Sequence, residues 1–183
     1  MKKKIMIYMA GLALTVTGLM LPSAMNAQKN SKSKMIMQSK EAKAAFIKSD
    51  AGLSNLFKNA YGYAIFPNIG KGALVIGGAG GKGTLYEAGK AVGRAKMVQV
   101  TVGAQVGGQA YREVIFFETK ETLERFKDNK FEFSGQMSAV AAKAGASANA
   151  KYTDGVLVFT EERGGLMLEA SIGGQKFTYK PFK

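Results

Sequence analysis

The stretch VIGGAGGKGT (residues 75–84) follows a short apolar run and holds five glycines and one lysine in ten residues. If it cradles a phosphate, the chain is a nucleotide-binding protein. If it only joins strands, the chain is β-rich, with little catalytic equipment. Gly78, Gly80 and Gly83 satisfy GxGxxG, and ALVI (73–76) can be the strand such a motif follows. A dinucleotide site, however, needs a helix to begin at these glycines, so that its N-terminal amides hold the pyrophosphate. The continuation GTLYEAG (83–89) is rich in strand formers and closes on another glycine. A P-loop fails on residues: GxxxxGK[ST] would put its first glycine at Ile76 and needs a hydroxyl where Gly83 stands. The expectation is a tight strand-to-strand connection with Lys82 at a hairpin tip.

Outward from this stretch the period is two. YGYAIFP (61–67) reads as a strand stopped by Pro67, GALVIGG (72–78) as a second and GTLYEAG as a third. AKMVQVTVGAQVGGQA (95–110) alternates Val98, Val100 and Val102 against Met97, Gln99 and Thr101, with a bend at Gly103 or at Gly107 and Gly108. REVIFFET (112–119) is apolar on both faces, which marks a central strand. Further strands follow around 130–135, 140–150, 155–162, 164–174 and 176–182. One helix interrupts them over 119–130, capped by Thr119, with Leu123 and Phe126 on its apolar side. AQVGGQAY (104–111) and ASIGGQKF (170–177) echo each other, which we read as two similar bends.

Upstream the period is helical. From Met35 to Ile47, residues Met35, Ala42, Ala45 and Phe46 share one face, Lys40, Glu41 and Lys48 point away, and Ile47 lies among the lysines. A second helix starts near Asp50, capped by Ser49 or Asp50, with Leu53, Leu56, Phe57 and Ala60 on one side. The fold class is α+β: a mainly antiparallel, glycine-rich sheet (sandwich or partly open barrel) with two N-terminal helices and one inserted helix.

Residues 1–27 have the form of a bacterial signal peptide: Lys2 to Lys4, an apolar run from Ile5 to Leu21, then Pro22 and small residues up to Ala27. Residues 28–34 (QKNSKSK) read as a flexible linker, and 35–183 as a single domain. The expected location is periplasmic or secreted, after cleavage near Ala27. The precursor carries +13, and loss of the three signal lysines leaves +10, an excess that favours anionic partners. The chain has no cysteine and no histidine, which removes disulfides, nearly all transition-metal sites and the commonest general base. Glu113, Glu118, Glu132, Asp154 and Glu169 are scattered without a spacing that pairs an acid with a base. No enzyme, cofactor or metal is expected. The aromatic residues fall within strand patterns, so nucleic acid is not expected either.

YGYAIFPNIGKGALVIGGAGGKGTLYEAG (61–89) resembles the opening of the SYLF lipid-binding domain, DUF500, in which AIFP, a Lys-Gly segment and a GGxxGxG run occur in this order. VTVGAQVGGQAYREVIFFET (100–119) and YTDGVLVFTEERGGLMLEASIGG (152–174) are similar to the family's middle and closing segments. The resemblance spans residues 35–183. It departs from the family at KAVGRAKM (90–97), where many members carry tryptophan, and at GQMSAVAAKAG (135–145), where Gly-Pro is frequent. It implies a module that binds anionic phospholipid, with actin binding in some eukaryotic members. For an exported bacterial chain the available lipids are phosphatidylglycerol, cardiolipin or lipopolysaccharide.

Residues 28–60 hold seven lysines against Glu41 and Asp50. The first lipid-contact candidates are therefore Lys40, Lys43, Lys48 and Lys58, with Phe46 and Ile47 as apolar insertions. The competing reading packs this helix on its own sheet with the lysines in solvent. Lys71, Lys82 and Arg94, near expected turns, form a second candidate patch. The function expected is peripheral binding of anionic phospholipid or an amphiphilic ligand at the envelope. The alternative is a structural or protein-interaction module there, with an envelope protein as partner.

Overall fold

The structure, a computed structural model, describes residues 21–71, 78–100, 110–134, 137–162 and 169–182. The chain divides into two compact units, Met1–Lys34 and Met35–Lys183. Helix α1 (Leu21–Ser49) begins in the first and ends in the second. Residues 28–34, expected to be a flexible linker, are therefore helical. Between Ser23 and Ala51 there is no glycine or proline, and Lys, Gln, Met and Ala are good helix formers, so a polar run without apolar period still lacks a breaker. α1 turns sharply into α2 (Leu53–Asn59). Asp50 fixes the corner by accepting the Gly52 N–H at 3.0 Å and the Ser147 N–H at 2.7 Å. It therefore braces the turn; the N-cap of α2 is Gly52, without a side-chain bond.

Beyond the helices the chain forms β1 (Gly62–Lys71), β2 (Gly78–Glu87), β3 (Lys90–Val100), β4 (Tyr111–Phe117), helix α3 (Lys120–Lys127), β5 (Ser138–Ala141), β6 (Val156–Glu162), β7 (Glu169–Ser171) and β8 (Gln175–Pro181). The eight strands make one sheet in the order β7-β5-β6-β4-β1-β2-β3-β8. Every pairing is antiparallel except β5 with β6. β7 and β8 are opposite edges, yet only Ile172 to Gly174 separate them in the chain. The sheet is therefore one open layer curled toward itself: the α+β expectation holds, whereas a sandwich does not form. β4 is central and buried on both faces, as its composition required.

From Gly78 onward the glycine run is strand, neither a phosphate cradle nor a turn, and Val75 to Gly77 lie outside the described residues. Gly78 to Thr84 lies within β2, and Lys82 sits mid-strand opposite Lys96, not at a tip. β1 continues through Pro67, and its register with both neighbours shifts between Ile65 or Phe66 and Ile69, so the proline sits in a bulge where its missing N–H is tolerated. The glycines of β2 accommodate that bulge. A Cβ on Gly83 would stand 2.5 Å from the Ile65 carbonyl oxygen, and one on Gly81 would stand 2.9 Å from that of Asn68. The tight hairpin comes later, at Ala88 (φ 46°) and Gly89 (φ 75°), two left-handed residues that join β2 to β3.

Helices pack on each face of the sheet. On one, α3 brings Leu123 and Phe126 against Phe117, Phe131 and Phe177. Thr119 caps α3 by accepting the Thr122 N–H at 3.3 Å, as expected. On the other, Ala42 and Phe46 of α1 and Leu53 and Phe57 of α2 pack on Tyr63, Ile65, Phe116 and Phe159.

Candidate functional site

The face under α1 and α2 is not covered along its whole width. Ser39 donates to the Thr84 hydroxyl at 2.8 Å, which places α1 over β2. Strand side chains alternate. Because Ala95, Met97 and Phe177 belong to the α3 face, Arg94 and Lys96 of β3 and Thr178 and Lys180 of β8 point to the opposite one. The register lines them up in two rows, Lys82–Lys96–Thr178 and Thr84–Arg94–Lys180. Lys82, Arg94, Lys96 and Lys180 are all exposed, and none has an ion-pair partner among the described residues. Lys176, one pair further along this face, meets Glu132 at 3.4 Å. Lys82 directly opposite Lys96 puts like charges about 5 Å apart at Cβ, an arrangement that destabilises a sheet unless an anion bridges it. Four cations in adjacent strand rows are the strongest anion-binding feature among the described residues.

The structure brings together only part of the expected set. Lys82 and Arg94 stand in this ladder. Lys71 ends β1 opposite Ala79, and its side chain lies outside the described residues. Phe46 is fully buried and Ile47 half-buried against the same core, so the apolar stripe of α1 packs on its own sheet and is not free for insertion. Lys43 folds inward, its Nζ 4.6 Å from the Phe57 ring centre and 4.9 Å from that of Tyr63, and donates to the Tyr63 hydroxyl at 3.2 Å. Burial holds its pKa below the ordinary lysine value. Lys40, Lys48 and Lys58 are exposed. Lys96 and Lys180 were missed. Their signal was the alternation in GRAKMVQV and KFTYK, but which strands stand side by side is not written locally.

A second polar group lies on the α3 face and is sealed. Glu113 of β4 is wholly buried beside Tyr111, Gln99 and Gln175. The Gln175 amide donates to Glu113 Oε2 at 3.0 Å, while Glu113 Oε1 and Gln175 Oε1 have no partner among the described residues. Burial pushes the Glu113 carboxyl up to about 7, against the opposing pull of the Gln175 bond. The Tyr111 hydroxyl is pushed up by burial and by the Glu113 charge. Glu132 is spent on Lys176 at the far edge, and no cluster of three or more metal-ligating side chains occurs among the described residues.

A family model described as Ysc84, Las17-binding protein actin regulator, matches residues 98–180, which carry β4 to β7 and most of β8. Beta cell expansion factor A of Aeromonas veronii is 34% identical over 129 residues, covering 67% of this chain and 47% of that protein. The chain thus spans about half the length of the curated relative it matches. The family model and this relative agree: the chain belongs to the Ysc84 family, the SYLF or DUF500 domain.

Proposed function

We propose that the chain is an exported, non-enzymatic module that attaches peripherally to anionic phospholipid through the exposed face of β2, β3 and β8. The observation that carries this reading is the ladder of Lys82, Arg94, Lys96 and Lys180, cations set side by side without a carboxylate among them. A basic residue near an anionic membrane surface contributes about 1 kcal/mol, so four give roughly 4 kcal/mol, a weak attachment that salt reduces. Export rests on the signal-like pattern of residues 1–27 and on processing near Ala27. The test is flotation of the processed protein with neutral and with anionic vesicles at low and at physiological salt. Binding restricted to anionic vesicles and weakened by salt supports the reading, and equal behaviour with both vesicle types refutes it.

The matched family model names a protein-binding actin regulator, which favours a second reading: the same ladder docks on an acidic protein surface. Crosslinking in envelope extracts would then capture one stable partner, with indifference to lipid charge.

A further inference from the structure

Between α1 and the β1–β4 pair lies a groove of about 330 Å³, separate from the basic ladder. Ala42, Ala45 and Pro67 leave the space, and Gln38, Glu41, Asn68 and Arg112 supply its polar lining. Arg112 is held in place: its Nη1 donates to Glu161 Oε2 at 3.1 Å, and Glu161 Oε1 accepts the Ser49 hydroxyl at 2.6 Å. Its side chain is 19% exposed, and this one bond leaves most of the five-donor fork without a protein partner among the described residues. Glu41 lines the same groove yet pairs with neither Arg112 nor any other cation among the described residues.

These charges choose the ligand class. Arg112 keeps donors beyond its one bond to Glu161, so an anionic group can be held there, while Glu41 weakens the binding of an anion that carries no positive charge. A simple cation pairs with Glu41 but leaves the remaining Arg112 donors unfilled. A group carrying both signs, joined by a short linker, satisfies both walls. Phosphate suits the cationic side better than carboxylate, because its tetrahedral oxygens can accept from Arg112, Gln38 and Asn68 at once, whereas a carboxylate accepts mainly in one plane. We propose that this groove binds a phosphoethanolamine group, with the phosphate on Arg112 and the side-chain amides and the ammonium on Glu41. The group can come from a lipid headgroup or from a free phosphodiester. Only the lipid source rests on the membrane reading above.

The test titrates the full chain with glycerophosphoethanolamine, glycerophosphocholine, glycerol phosphate and glycine, following the side-chain amide resonances of Gln38 and Asn68 by NMR. Glycerophosphoethanolamine should give saturable shifts at both amides and bind about threefold more tightly than its choline analogue, whose quaternary ammonium keeps the charge but cannot donate a hydrogen bond to Glu41. Glu41→Gln, an exposed and structurally mild change, should abolish that preference while tightening glycerol phosphate binding. Arg112→Gln should lose all phosphate ligands. No saturable shift with glycerophosphoethanolamine, an unchanged preference in Glu41→Gln, or glycine binding equally well would each overturn the proposal. Flotation with net-neutral vesicles, with and without phosphatidylethanolamine, then assigns the source. A response in wild type that Glu41→Gln loses identifies the lipid headgroup. Saturable soluble binding with no vesicle response identifies the free phosphodiester. Because these vesicles carry no net charge, failure of the anionic-surface reading would leave this result untouched.

Discussion

Glu113 should make the protein less stable as pH rises from acid to neutral, the reverse of what an ion-paired carboxylate does. Its carboxyl, wholly buried, is pushed from an ordinary 4.5 up to about 7. The folded state therefore holds the proton more tightly than the unfolded state. The folded state keeps the full benefit of the neutral carboxyl below pH 4.5 and loses it progressively as pH climbs to about 7. At about 1.4 kcal/mol per pH unit, the loss amounts to roughly 3 kcal/mol above neutrality. Hydrogen bonding argues the same way: around Glu113, two acceptors, its own Oε1 and that of Gln175, lack a donor among the described residues, and a protonated carboxyl supplies one. Glu113→Gln keeps the shape, accepts the Gln175 amide through its carbonyl and offers a permanent donor. The variant should match wild type near pH 4 and exceed it at pH 8 by about 3 kcal/mol, which moves the urea midpoint by roughly 2 M at an ordinary slope. The assay is urea unfolding of both proteins from pH 4 to pH 8, read as the difference between them, so that other carboxylates cancel. A difference that does not change with pH, or a variant less stable at pH 8, refutes the reasoning.

Other expectations follow from the same packing. Phe46→Ala should destabilise by about 3 to 5 kcal/mol in chemical unfolding, as a fully buried phenylalanine does; a stable variant with impaired vesicle binding would return Phe46 to a membrane role. Gly83→Ala should cost about 1 to 3 kcal/mol by the same measurement, because its Cβ would meet the Ile65 carbonyl oxygen at 2.5 Å, and an unaffected midpoint would mean the bulge is not held there. Asp50→Ala should cost roughly 1 to 3 kcal/mol by leaving the Gly52 and Ser147 amides without their acceptor, with amide exchange accelerated around residues 145–148.

Much of this fold is legible one strand at a time. The alternation of apolar residues locates β3, the two-sided apolar run marks β4 as central, and Thr119 announces α3. What stays hidden depends on neighbours. Pro67 looks like a strand end because nothing local says that a bulge will absorb it, and the β2 glycines look like a loop because their purpose is the approach of the β1 backbone. Residues 28–34 look disordered because polarity is easier to see than the lack of a helix breaker. The candidate site fared similarly. Charge density pointed to the helix, and half of the ladder was named, in Lys82 and Arg94. Lys96 and Lys180 join them only through pairings between strands far apart in the chain, Lys180 lying 86 residues after Arg94. Glu113 carries no mark in the sequence beyond an acid inside an apolar strand.

The central claim is tested most directly by floating the processed protein on anionic vesicles at physiological salt in three forms: wild type, a variant with Lys82, Arg94, Lys96 and Lys180 changed to glutamine, and one with Lys40, Lys48 and Lys58 changed to glutamine. All seven positions are exposed, so each variant should stay folded, which circular dichroism would verify. The account predicts that the ladder variant stays at the bottom of the gradient while the helix variant still floats with the vesicles. Flotation of the ladder variant equal to wild type would contradict it.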